Sequence, residues 1–267
     1  MSTPQPFGHQ LREWRQRRHL SQLELAGEVD ISTRHLSFVE TGRSLPSRAM
    51  VLRLAERLAV PLRERNQLLV AAGYAPMYSA RPLSDPQMAA ARAAVECVLK
   101  GHEPYPALVV DRNWSLITAN RSVGPFLAGV DPSLLAAPAN VLRMTLHPAG
   151  LSSRIENLAQ WRSHVFARLE REIELTADKS LVSLLEELRG YPGGELDVEG
   201  VASAERGYAG VVVPLKLRTE GGVLSMFSTT TVFGTAVEVT LSELVLEAFY
   251  PADEVTTQAL RSMPLPA

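Results

Sequence analysis

Cysteine occurs once in the 267 residues, at Cys97. A single thiol excludes an intramolecular disulfide framework and any zinc site built on several cysteines, and it fits a reducing compartment. Cys97 stands in an alanine-rich stretch without an activating cluster and reads as a small buried hydrophobe. No run of eighteen apolar residues is present, and Met1 to Trp14 is polar rather than a cationic start followed by an apolar run. Neither a membrane span nor an export signal is therefore expected, and the expected location is the cytoplasm. The longest charge-free stretch, Gly221 to Val237, is studded with serine and threonine and reads as sheet.

Motifs for bond chemistry are lacking too. The histidines at 9, 19, 35, 102, 147 and 164 form no i, i+4 pair enclosing a carboxylate, which leaves no zincin-like metal site. No Gly-x-Ser-x-Gly elbow and no Gly-x4-Gly-Lys-Ser/Thr loop occurs. No catalytic residue, metal or cofactor is expected, and an enzyme is the least favoured class.

What is present is an ordinary globular balance, 46% hydrophobic and 21% charged residues with a net charge of −2. At about 150 residues per domain, the length suits two domains. The charge is uneven. Residues 1 to 74 hold eleven arginines, no lysine and seven acids, a net of +4, which leaves −6 for the rest. A basic head on an acidic body points the head toward a polyanion.

From Gly8 to Ala72 the pattern is of five short helices joined by turns of two to six residues. Ser21 caps a second helix, Gln22 to Val29; Asp30 and Ile31 turn; Ser32 caps a third, Thr33 to Glu40, which Gly42 ends; Ser47 caps a fourth. Two short helices about a tight turn form a helix-turn-helix, whose second helix enters the DNA major groove. On the third helix Leu36 and Val39 share one side, while Arg34, Ser37, Phe38 and Thr41 share the other. Arg34 can fork onto guanine O6 and N7, and the Phe38 ring can pack on a thymine methyl. Gln22 and Arg43 are placed to meet phosphates.

The stretch LSQLELAGEVDISTRHLSFVETGRSLPS at 20 to 47, with Leu11 and Arg15 before it, resembles the helix-turn-helix of the lambda repressor and Cro type, the XRE family. The matching positions are Ser21-Gln22, Leu25-Ala26 and Glu40-Thr41-Gly42. The resemblance implies that Thr33, Arg34, Ser37 and Phe38 face bases, that Gln22 and Arg43 face phosphates, and that Arg15 pairs internally with Glu40. Asp30 stands where the family often has glycine, so aspartate must take the left-handed conformation there.

Residues 75–85, with Pro76 and Pro82, read as a linker between a head over 6–74 and a body over 86–267. In the body, Asp85 and Pro86 start a helix to Lys100, and Ala107 to Asp111 with Leu116 to Asn120 form a hairpin. Short helices are expected over Ser122 to Ala139. A long helix from Leu151 to Leu175 carries Leu151, Ile155, Leu158, Val165, Leu169 and Ile173 on one stripe, and another helix spans Lys179 to Arg189. Val211 to Leu217, Val223 to Phe233 and Glu243 to Tyr250 read as three more antiparallel strands. The expected body is α+β, with a five-stranded antiparallel sheet like that of PAS sensor domains and an apolar site between layers.

The body also resembles the MmyB-like ligand-binding domain that follows a helix-turn-helix in many bacterial regulators. The resemblance is carried by PALVVDRNWSLITAN at 106–120, NVLRMTLHPAGL at 140–151 with Arg154, Asn157 and Trp161, and TVFGTAVEVTLSELVLEAFYPADE at 231–254. It implies a site for fatty-acid-like or other small apolar ligands. The apolar candidates for its wall are Trp114, Phe126, Leu142, Trp161, Val165 and Phe227. Arg143, His147, Arg154 and Asn157 form the nearby polar cluster, in which an arginine can receive a carboxylate bidentately. Double-stranded DNA and a second copy of the chain are the expected partners, since two heads must meet major grooves about 34 Å apart. The alternative is a body that serves only dimerisation or protein docking, with a filled core.

Overall fold

The computed structural model describes residues 5–193, 213–233 and 238–265. By backbone proximity the chain divides into two compact units, the first running to Pro82 and including also Glu174–Thr176 and the stretch that ends at Ser242, the second holding the rest.

The first unit holds α1 (Phe7–Arg17), α2 (Gln22–Glu28), α3 (Thr33–Glu40), α4 (Arg48–Arg57) and α5 (Leu62–Ala71). Three of them start on serine caps. Ser21 accepts from Glu24 N while Glu24 returns the bond to the Ser21 N–H, and Ser32 and Ser47 accept from His35 N and Met50 N. Each cap satisfies a helix-end donor and stabilises by about 1 kcal/mol. Leu11, Leu25, Leu36, Leu54, Leu58, Leu68 and Leu69 are fully buried and form the core. α1 lies against the end of α3 so closely that a Cβ on Gly8 would sit 2.3 Å from the Glu40 carbonyl oxygen. Only glycine fits there. In the turn between α2 and α3, Asp30 takes φ +54°, the left-handed conformation required of it.

The second unit is α+β and PAS-like. After a 3-10 turn at Pro86–Met88 comes α6 (Ala89–Gly101), then β1 (Ala107–Val110) and β2 (Leu116–Ala119) as a hairpin. A 3-10 segment (Arg121–Leu127), α7 (Pro132–Leu135), α8 (Val141–Leu146), α9 (Leu158–Thr176) and α10 (Lys179–Arg189) follow. Then come β3 (Leu215–Thr219), β4 (Gly222–Val232), β5 (Val245–Pro251) and α12 (Glu254–Ser262); α11 (Val239–Ser242), between β4 and β5 in the chain, groups with the first unit. The five strands form one antiparallel sheet in the order β2-β1-β5-β4-β3. The expected strand start at Val211 and Val212, and the turn at Gly234, lie outside the described residues.

Two expectations need correction. The helix expected from Leu151 begins only at Leu158, because the preceding residues are drawn to the edge of the sheet. Ile155 bridges Leu217, Glu156 N donates to Lys216 O at 2.9 Å, and Asn157 Oδ1 accepts from Lys216 N at 3.1 Å. Backbone bonds to β3 outweigh the apolar periodicity that makes 151–175 read as one helix. Cys97 is exposed rather than buried: on α6 it is Val95 and Leu99 that face the interior.

Candidate functional site

The head exposes a short basic surface on α3 and the turn after it. Leu36 and Val39 are buried, while Arg34 and Arg43 are exposed and Thr33, Ser37 and Phe38 are half-buried. The Phe38 ring is flanked by two guanidiniums, with Arg34 Cζ 5.3 Å and Arg43 Cζ 5.9 Å from its centroid. This explains an aromatic on a solvent-facing helix: the ring shelters between cations and holds them near the helix surface. Among the described residues neither arginine pairs with a carboxylate. The positive charge is thus free to meet an anion.

Behind this surface lies a buried charge cluster. Arg15 Nε and Nη2 donate to Glu40 Oε1 and Oε2 at 2.7 and 3.0 Å, and Arg15 Nη1 donates to Leu20 O at 2.7 Å. The Gln22 amide donates to Glu40 Oε2 at 2.7 Å, so it is committed inward, and the backbone N–H groups at the start of α2 are its outward donors. Burial pushes the Glu40 carboxyl up, but the bonds from Arg15 and Gln22 and the Arg15 charge outweigh this and hold it below its ordinary value.

In the second unit, an apolar cavity of about 80 Å³ lies between the sheet and the segments that cross it. Leu108, Leu116, Leu215, Leu217, Met226 and Phe249 give the floor, and Val123, Phe126, Leu127, Val141, Met144 and Leu151 the roof. Thr145, the one hydroxyl among the described wall residues, donates to Val141 O at 2.7 Å. Among the described residues, nothing polar in the wall is left to bind a hydrophilic molecule. A wider groove of about 1040 Å³ adjoins it, and Phe126 lines both.

Of the ten expected ligand residues, Phe126 lies in the cavity wall, and Phe126 and Arg154 line the groove. Trp114, Leu142, Trp161 and Val165 are in the hydrophobic core instead. Trp114, at φ +62° in the β1–β2 turn, donates its indole N–H to Glu172 Oε2 at 2.9 Å beneath the Arg168 guanidinium. Leu142 sits on the face of α8 away from Val141 and Met144. Phe227 points to the opposite side of the sheet from Met226 and stacks on its cross-strand partner Tyr250, with centroids 5.5 Å apart.

The polar cluster disperses. Arg143 makes a two-pronged pair with Glu187, whose bond to Tyr191 joins burial in pushing that phenol up to about 12. The His147 ring meets Tyr191 edge-on at 4.9 Å. Asn157 ties α9 to β3 through Pro214 O and Lys216 N. Of the four, Arg154 is the one that lines the groove. The wall residues that sequence reasoning missed carry one usable signal, the period-two placement of Leu215 with Leu217 and of Leu224 with Met226. Among the described residues no group of three or more His, Cys, Asp or Glu could hold a metal, and no helix is long and apolar enough to cross a membrane.

Comparisons with known proteins agree with this division. A helix-turn-helix domain profile matches residues 6–68, and the MmyB-like transcription regulator ligand binding domain matches 91–263. No curated protein matches the chain significantly. Among solved structures, the clp gene regulator ClgR from Corynebacterium glutamicum shares 24% identity at a TM-score of 0.22, over 37% of this chain and 90% of that one. An RNA-binding light-oxygen-voltage receptor shares 10% identity at a TM-score of 0.25, over 96% of this chain and 61% of that one. With a helix-turn-helix head joined to that ligand binding domain, the chain belongs to the MmyB-like transcription regulators and is a DNA-binding regulator.

Proposed function

We propose that the protein acts as a cytoplasmic, non-enzymatic homodimer whose affinity for a two-half-site operator is set by a small apolar, fatty-acid-like ligand in the second unit. The cavity between sheet and roof carries this reading, because its wall is apolar and its roof is made of short segments rather than one rigid helix. In the head, Thr33, Arg34, Ser37 and Phe38 face bases, Arg43 reaches a phosphate through its side chain, and Gln22 reaches one through its backbone N–H at the start of α2. Base contacts supply sequence discrimination and phosphate contacts supply register and salt-dependent affinity. A ligand acts on DNA binding only if it favours one dimer geometry over another, so its effect is bounded by that difference.

Denaturing extraction of the purified protein, with mass spectrometry of whatever is released, tests the reading. A fatty acid or similar lipid in stoichiometric amount is the expected result. If nothing is released and no apolar compound alters operator affinity, the second unit becomes a dimerisation or protein-docking module.

A further inference from the structure

We propose that the ligand carries a bulky, phosphate-bearing head, held by Arg154 and Arg218 in the groove outside the cavity, and that only a short apolar end passes Phe126. The proposal rests on the ligand-binding reading above and specifies the chemical class of the ligand. The two spaces that meet at Phe126 are very unequal, about 80 Å³ inside and about 1040 Å³ outside. A ligand of ordinary size needs roughly 300 to 1,000 Å³. The inner cavity holds a fraction of such a molecule, so its bulk belongs in the groove.

The groove is built for an amphiphile. Its inner part is apolar, with Phe126, Leu224, Ala259 and Met263, and its rim carries Arg154, Arg218, Thr219 and Glu220. Arg154 is fixed by backbone carbonyls: Nη1 donates to Phe126 O at 3.0 Å and Ala128 O at 2.9 Å, and Nε donates to Arg218 O at 3.3 Å. The last bond ties Arg154 to the Arg218 backbone, and both residues line the groove. Neither pairs with a carboxylate among the described residues.

Two unneutralised guanidiniums, one of them held rigidly, are more than one carboxylate requires. A phosphate monoester brings a charge of about −1.5 to −2 and three acceptor oxygens, enough for the Arg218 fork and for the Nη2 donors that Arg154 has left. Its source is either a lysophospholipid headgroup or a phosphorylated carrier of an acyl group.

Titration calorimetry on the full-length protein distinguishes these, with octanoate, octanoyl lysophosphatidic acid and octanoyl-coenzyme A as probes of equal chain length. At least one phosphate-headed probe should bind about tenfold or more tighter than octanoate, and which one does so identifies the source. Arg218→Gln should remove that advantage while leaving the melting temperature unchanged, since the Arg218 side chain makes no hydrogen bond or ion pair among the described residues. Octanoate binding as tightly as both phosphate probes overturns the head assignment and leaves the cavity reading intact, as does an unaltered preference in Arg218→Gln. Failure of all three probes to bind overturns both.

Discussion

Arg15 and Glu40 meet inside the head as a two-pronged ion pair, Nε to Oε1 at 2.7 Å and Nη2 to Oε2 at 3.0 Å. The pair joins α1 to the last turn of α3, the helix that carries Arg34 and Phe38. Its members are 8% and 7% exposed, so removing one strands the other away from water. Glu40→Ala is therefore expected to destabilise the head by about 3 to 5 kcal/mol. Denaturant unfolding of the full chain measures this, and a loss below about 1 kcal/mol would mean that water reaches Arg15.

The same carboxylate sets an acid limit. Its folded-state pKa is depressed, so its stabilising contribution is complete above the ordinary value near 4.5 and is lost as pH falls through the folded value. Melting of the head should drop below pH 4.5, and Glu40→Gln should flatten that decline while lowering stability at neutral pH. An equally steep acid decline in the variant would place its origin in other carboxylates.

Arg34 is expected to read a base. Arg34→Ala should cost about 1 to 3 kcal/mol on the specific operator and little on unrelated DNA of equal length. The Phe38 ring 5.3 Å from its guanidinium keeps the fork near the helix surface, so Phe38→Ala should reproduce part of the loss. Equal losses on both DNAs would reduce Arg34 to a phosphate contact.

Arg43 should behave in the opposite way. One phosphate contact contributes about one unit to the slope of log affinity against log salt, whatever the sequence. Arg43→Gln should weaken operator and unrelated DNA alike and make both slopes shallower by about one. Unchanged slopes would move Arg43 off the backbone.

Much of the fold is legible in the amino-acid sequence, for identifiable reasons. The helix bounds of the head follow from local chemistry, with Ser21, Ser32 and Ser47 as caps and Gly42 at φ +74° as a stop, and local chemistry is what a sequence displays. The strands of the second unit are readable from β-branched and aromatic runs. The start of α9 is not, because Ile155 and Glu156 are captured by β3 some sixty residues later in the chain. The wall of the cavity is less legible. Trp161 and Val165 pack in the core, and α8 with the 3-10 segment supplies the roof. Phe227 takes the other face because Met226, its neighbour, takes the inner one, and a strand with apolar side chains on both faces does not announce which is which.

Glu172 gives a pH effect of opposite sign to that of Glu40. Burial raises its pKa, against the bonds from Trp114 and Arg168, and the Glu247 charge raises it further. A carboxyl with a raised folded-state pKa holds its proton in the folded chain after the unfolded chain has released it, so stability falls as pH rises from about 4.5 through the folded value. Glu172→Gln keeps an acceptor for the Trp114 indole and should remove this decline. Melting at pH 5 and pH 7 checks it: the drop between them should be smaller in the variant than in the parent.

Filling the cavity separates ligand binding from folding. Val141 lines the roof and is only half-buried, so a phenyl ring at that position can enter empty space without displacing a packed side chain. Val141→Phe should leave stability unchanged or raise it by about 0.5 to 2 kcal/mol, the range found for cavity-filling substitutions. It should also abolish the release of any small molecule on denaturation and fix operator affinity at one value whatever apolar compound is added. Trp161→Ala is the control, since Trp161 is in the core and lines neither space. It should cost about 3 to 5 kcal/mol, with ligand retained in whatever fraction stays folded. A Val141→Phe protein that still releases a stoichiometric ligand would place the ligand's apolar end outside this cavity, because a ring in that roof leaves no room for an acyl end beside it.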